Sequence, residues 1–432
     1  MLVQITVQVG EGPVQSLTAD VTESAQEFEA ETLRLLQRAG RVVVEQGLQR
    51  VALAVRPPRC CGRTMKNCGC RTHTVASLFG ELIIDRRRYR CQTCDRESYP
   101  GDAGMCCGRH RVTRPLAKRV CQLATTEHYT RLPQLLQDQH GVTLCHETIV
   151  SLAQDAGGEL DRFRQLEAAQ SARHRETPPA AVMSPPERIC VSSDGIMYCT
   201  NQTENDPQHP GQKRLLWQQM KVGCVAWQDA QERWHKRMIW GRESPAEFAA
   251  ALWRLACQCG YVEAKEKLFQ ADGGSWCWDV HARFFSDAAG ILDWYHVSEH
   301  IWETAKALAG QEAGTWALTA LTQLHDGGGN ALIEWLTPQV KVARGSRRTT
   351  LQALDDYVIT KVDRMDYPAY RARGWPIGSG MIEATCKQLV GGRLKGPGMH
   401  WTEKGALAIT ALRATELNGQ WHQTWNSLLL AN

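Results

Sequence analysis

The chain has 432 residues, 43% of them hydrophobic and 22% charged, with a net charge of +4. This is ordinary globular make-up, long enough for two or three domains. No apolar run reaches the length of a membrane span, and the N-terminus MLVQITVQVGEGP lacks the basic-then-apolar build of a signal peptide, so a cytoplasmic protein with no membrane partner is expected.

Residues 1–53 read as an N-terminal helical segment. Apolar residues at three-to-four spacing over 22–49 predict one amphipathic helix. The pattern then changes. Of the seventeen cysteines, eight lie between Cys60 and Cys107, which in a reducing compartment suggests metal before disulfides. Residues 54–110 therefore read as a zinc-ribbon-like module. Cys91-Gln-Thr-Cys94 supplies one CxxC knuckle, and the upstream ligands come from Cys61, Cys68 and Cys70, with Cys60 able to substitute. Cys106 and Cys107 are expected outside the site. Charge clusters here too: residues 54–119 hold fifteen Lys and Arg against five Asp and Glu. Arg86, Arg87 and Arg88 either belong to a solvated hairpin or form a phosphate-binding surface.

Residues 111–164 read as three short helices, the last two separated by a glycine turn in the layout of a helix-turn-helix. The recognition helix would span about 145–156 and carries few basic residues. Ala, Pro and charge mark 165–188 as a linker. Residues 189–432 begin with strand-like segments, then a helix, SPAEFAAALWRLACQCG, and a buried strand, EKLFQADGG.

Asp194 closes the apolar run CVSSDG, and Asp272 closes KLFQADGG. Either one alone also reads as a turn residue ending a strand. Glu383 sits in the first turn of a helix behind Gly-Ser-Gly, with Lys387 one turn later on the same face and Arg393 and Lys395 in a glycine-rich exit. Alone, this is equally a capped surface helix with an ion pair. Together, two strand aspartates and a helical glutamate are the parts of a site for two Mg²⁺ or Mn²⁺ ions, whose hard oxygen ligands leave room for phosphate and water. The interval from Asp194 to Asp272 holds two strands and a helix, the ribonuclease-H-like plan. The interval from Asp272 to Glu383 demands a helical insertion at about 300–370. The fold class expected is α/β: a ribonuclease-H-like core with an all-helical insertion, preceded by the zinc-ribbon-like module and the helix-turn-helix. Within Asp293-Trp-Tyr-His296 an acid and an imidazole stand at the edge of a strand or in a first helical turn, as a structural pair or a supporting element of the site. His296 and His300, one turn apart, are a further possible ligand pair.

VSSDG, QADGGSW, ILDWYHVSEH and GWPIGSGMIEATCKQLVGGRLKGPGMHW resemble, in order and spacing, the transposases of the ISKra-family bacterial insertion sequences, DDE enzymes distantly similar to the Mutator-like group. The resemblance covers roughly residues 55–425. It implies Asp194, Asp272 and Glu383 as the catalytic triad holding Mg²⁺, with Asp293 and His296 as the Asp-x-x-His element that follows the second aspartate. It also implies that Lys387, Arg393, Lys395 and the Arg86–Arg88 run hold DNA, at the terminal inverted repeats and the target, with at least a dimer on DNA at the nucleoid. The reaction expected is strand cleavage followed by strand transfer. A nuclease or resolvase of the same fold would cleave without joining, and a regulator derived from a transposase would bind without cleaving.

Overall fold

The computed structural model describes residues 2–20, 24–174, 180, 182 and 184–428. It divides into two units, each described by itself. One comprises residues 1–160, 407–416 and 420–432; the other comprises 161–406 and 417–419.

In the first unit β1 (Leu2–Val7) and β2 (Gln15–Asp20) form an antiparallel hairpin, followed by the long helix α1 (Ala25–Leu53). The next hairpin joins β3 (Lys66–Ser77) to β4 (Gly80–Arg90). Residues alternate in β4, so Leu82 and Ile84 point inward and share a small core with Ala52 and Met105. A short strand β5 (His110–Thr113) adds to β3 in parallel through Ala76 and Val112. The three helices expected next are α2 (Arg114–Ala124), α3 (Leu132–His140) and α4, which begins at His146. Gly141, at φ 60°, closes α3 in the left-handed conformation that glycine tolerates. Buried Leu116, Val120, Leu132, Leu136, Ile149 and Leu152 give the three helices a common apolar face.

The linker expected over 165–188 is in part helical. Helix α4 runs on to His174, because its Ala-, Gln- and Glu-rich stretch favours helix and the prolines come only later. Residues 175–179, 181 and 183 of that span lie outside the described residues. The expected last domain also ends differently, since residues 407–416 and 420–432 belong to the first unit.

The second unit is built on a five-stranded mixed sheet. Its members are β6 (Arg188–Asn205), β7 (Lys213–Gln228), β8 (Trp234–Gly241), β9 (Glu266–Ala271) and β10 (Ala289–Leu292), in the order β8-β7-β6-β9-β10. The first three are antiparallel; β6, β9 and β10 are parallel. Between β8 and β9 lies α5 (Pro245–Gln258), started by Pro245 and by a capping box between Ser244 and Glu247. Helix α6 (Ser275–Phe284) follows β9. After β10 come α7 (Trp294–Ala309), α8 (Ala313–Val342, bent at Gly328), α9 (Gly345–Ile359) and α10 (Tyr367–Ala372), the helical stretch expected at about 300–370. Helix α11 (Gly380–Cys386) passes into a π-helical turn at Lys387–Gly391, and α12 (Glu403–Leu417) follows, with residues 407–416 of it belonging to the first unit. The apolar core gathers Val191, Phe248, Leu268, Phe269 and Ile291 with Val297, Leu332 and Leu354 of the later helices.

Candidate active site and metal centre

Asp194 does not end its strand, as the sequence suggested. Strand β6 continues to Asn205, held by antiparallel pairing that carries Asp194 opposite Val222 and Gly195 opposite Lys221. What ends there is the parallel partner: the last β6–β9 pair is Ser193 with Ala271, so Asp194 and Asp272 are the next residues of neighbouring strands. Asp194 accepts the Gly195 amide at 2.6 Å, and Asp272 accepts the Gly274 amide at 2.9 Å. Among the described residues neither carboxylate has a cationic partner. Burial pushes the Asp194 carboxyl above its ordinary value, and the negative charges of Asp272 and Glu383 push the same way against the Gly195 amide. Glu383, in the first turn of α11, is thus near enough to be felt at Asp194. The oxygens of the three do not converge on one point, since among the described residues only a cysteine group brings three or more ligand atoms within 4.8 Å of one another.

Two thiols stand beside these acids. Cys386 directs its Sγ at Asp194 Oδ2, 3.7 Å away, and Cys277 directs its own at the Ser193 carbonyl, 3.4 Å away. Burial raises both, so both remain thiols and donate. Cys386 follows Glu383 by three residues, a spacing that places both on one helix face; that signal was present in the sequence.

Asp293 is a positioning residue. It caps α7, accepting the amides of Tyr295 at 3.3 Å and His296 at 3.0 Å, and it also accepts the Ser379 amide at 2.8 Å. The Trp294 amide donates to the Ile377 carbonyl at 3.0 Å, and Ser379 Oγ lies 3.4 Å from Glu383 Oε1. The segment leading to Glu383 is therefore fixed on the start of α7. His296 lies in the first turn of α7 and faces Gly273, beside Asp272.

The cations behind Glu383 separate. Lys387 is exposed and pairs with Glu383 at 3.4 Å, and Lys395 is exposed. Arg393 is not on the surface as expected. It is 2% exposed and its guanidinium lies 4.9 Å from the Trp401 ring centroid. The arginine run of β4 is similarly committed. Arg86 pairs with Asp102 and stacks over Tyr99 at 3.9 Å, Arg87 donates to the Leu53 carbonyl at 3.0 Å, and Arg88 lies 3.7 Å from Glu97. These three brace their own sheet and are not a free phosphate-binding row.

Four cysteines of the first unit do converge: Cys60, Cys61, Cys91 and Cys94, with their sulfurs all within 4.8 Å of one another. Cys68 and Cys70, expected as ligands, lie on β3 outside the group, and the adjacent Cys60 takes their place. Two tight turns make this possible. Cys61 and Gly62 have φ of 49° and 76°, and Asp95 after the CxxC has φ 62°. Sulfur separations of 3.6 Å (Cys60–Cys94) and 3.9 Å (Cys60–Cys61) match the roughly 3.8 Å edge of a tetrahedron with Zn–S bonds of about 2.3 Å. Backbone amides of Cys94 and Thr93 aimed at the Cys91 sulfur pull its thiol down to about 6, whereas hydrogen bonds with Cys94 and then Cys60 push Cys61 up to about 12. The group could hold a metal ion, with zinc suited to its all-sulfur donor set.

Among the described residues no helix is long and apolar enough to cross a membrane. No protein-family model matches the chain, and no curated protein does. Among solved structures, the Drosophila P element transposase strand transfer complex aligns over 74% of this chain and 82% of that chain, at 6% identity and a TM-score of 0.25. A likeness this slight fixes neither fold nor activity.

Proposed function

We propose that the chain is a DDE transposase of the ISKra type, with a ribonuclease-H-like core in its second unit and Asp194, Asp272 and Glu383 as its acids. One observation carries this reading: two aspartates side by side where the pairing of two adjacent parallel strands stops, and a helical glutamate, crowd their charges around a half-buried carboxyl, with Lys387 the one cationic partner of the three among the described residues. Such an assembly is costly alone and is relieved by divalent cations. Asp194, Asp272 and Glu383 would hold Mg²⁺ or Mn²⁺, two ions, through their hard carboxylate oxygens. When bound, they supply Lewis acidity to the attacking and departing oxygens of an in-line phosphoryl transfer.

The protein's part is placement. The sheet fixes Asp194 and Asp272 relative to each other, the Cys386 thiol orients one Asp194 oxygen, and Asp293 sets α11 so that Glu383 faces them. Lys387 exchanges Glu383 for a backbone phosphate as DNA arrives, and Lys395 holds phosphate further along. The zinc-held cysteine knuckle and α3–α4 recognise the terminal inverted repeats, and two chains bring two ends together. The same centre first hydrolyses a strand and then directs the freed 3′ hydroxyl at target DNA.

Purified protein incubated with Mg²⁺ and duplexes bearing the DNA that flanks its gene should nick the ends and join them to a target plasmid. Uncut ends with wild type, or cutting that persists in Asp194→Ala, would overturn the reading. Cutting without joining would assign a nuclease instead.

A further inference from the structure

Helix α7 carries His296-Val-Ser-Glu299-His300-Ile-Trp-Glu303, two histidines one turn apart, each followed three residues later by a glutamate. We propose that His296 and His300 hold a borderline divalent cation, Zn²⁺ or a similar ion, distinct from both the carboxylate centre and the cysteine knuckle.

The two Nε2 atoms lie 3.3 Å apart. Tetrahedral zinc with Zn–N bonds of about 2.0 Å requires its nitrogens roughly 3.3 Å from each other, so the pair stands at the separation of two ligands of one ion. Each Nδ1 lies 4.0 Å from a carboxylate, His296 from Glu299 and His300 from Glu303. That puts a carboxylate near each Nδ1, from where a rotamer change would let it accept the ring proton and leave Nε2 as the metal donor. The two glutamate side chains are 77% and 76% exposed and serve no other ion pair among the described residues. His-x-x-Glu-His is also the spacing by which one helix face offers two imidazoles to zinc in inverted zincins.

Two further observations mark a place prepared for a ligand. The Tyr357 hydroxyl on α9 is buried and has no hydrogen-bond partner among the described residues. A Cβ on Gly273 would meet His296 Nε2 at 2.8 Å and Tyr357 Oη at 3.0 Å, so the missing side chain leaves open the space that both atoms face. His300 and Tyr357 also line a cleft of about 490 Å³ with Glu303, Thr304, Thr350 and Leu354, which gives an ion a route in from solvent. Binding requires both Nε2 atoms unprotonated, so any proton shared between them leaves to solvent.

The full chain, with one equivalent of zinc in its cysteines and excess Mg²⁺ present, should be titrated with Zn²⁺ by calorimetry and counted by metal analysis. Wild type should take one further equivalent, and Co²⁺ in its place should give d–d bands with no added thiolate charge transfer. His300→Ala should weaken that equivalent at least tenfold, about 1.4 kcal/mol, while keeping the cysteine-bound ion; His300→Gln serves if the alanine variant does not fold. Glu383→Gln should keep both ions. No further equivalent in wild type would overturn the proposal, as would one that survives both His300 substitutions. An equivalent lost with Glu383→Gln belongs to the carboxylates and overturns it too, leaving the reading of that centre intact.

Discussion

The cysteine knuckle and the carboxylate cluster gather their side chains in opposite ways. The four cysteines come from two short turns, and left-handed backbone at Cys61, Gly62 and Asp95 folds each turn on itself, so most of that geometry is local. The three acids are separated by strands, a helix and a whole helical module, and only the β6–β9 register and the anchoring of α11 bring them near one another. A local centre depends on its ion for order. A centre carried on a sheet is ordered first and bears an electrostatic cost until cations arrive.

Four substitutions would break or sharpen that contrast. The largest effect is expected for Asp194→Ala, which should lower Mg²⁺-dependent end cleavage by on the order of 10³-fold without lowering thermal stability. Cys91→Ser should act the other way round. It should release the knuckle's ion and lose several kcal/mol of stability, visible as lost hydrogen-exchange protection in β3 and β4 with β6 and β9 unchanged. Asp293→Ala removes acceptors for three amides and should cost about 1–2 kcal/mol, with a larger fall in cleavage than in stability. Lys387→Gln should change stability by less than about 0.5 kcal/mol, because the pair is solvent-screened, while weakening DNA binding and its salt dependence.

The pH response adds a sign. The folded-state value of Asp194 lies above its unfolded one, so the native protein binds its proton more tightly, and stability from this group falls as pH rises from the ordinary carboxylate range to the raised value. Asp194→Asn should therefore melt above wild type at neutral pH without Mg²⁺, and the gap should close in acid. A gap that widened in acid would remove the crowding argument.

The legible parts of the molecule were those set by local pattern. Alternation and three-to-four spacing located α1, the three helices after β5, and the strand carrying Asp272. The CxxC knuckle was legible for the same reason. Of its partners Cys61 was legible and the fourth was not, because the choice of Cys60 over Cys68 or Cys70 depends on a left-handed turn at Cys61 that spacing does not reveal. Arg393 and the β4 arginines look alike as charge runs, and only the tertiary positions of Trp401, Asp102, Tyr99 and the Leu53 carbonyl decide that Arg393 is buried and that Arg86 and Arg87 have partners. The course of β6 beyond Asp194 was hidden likewise, since pairing with β7 overrides the Asp-Gly signal for a turn.

The bonds from Trp294 to Ile377 and from Ser379 to Asp293 close a loop in the chain. The chain from α7 through α10 lies within that loop and also packs on the sheet, with Tyr367 and Tyr370 of α10 donating to the Leu292 and Gly290 carbonyls of β10. Because the ends are pinned together, insertions in the parts of the loop that stand away from the sheet leave Glu383 in place, and a longer loop adds little closure entropy. That module can be lengthened, trimmed at its far end or given a new surface while the acids keep their places. It is where a lineage built on this core has the most freedom to change.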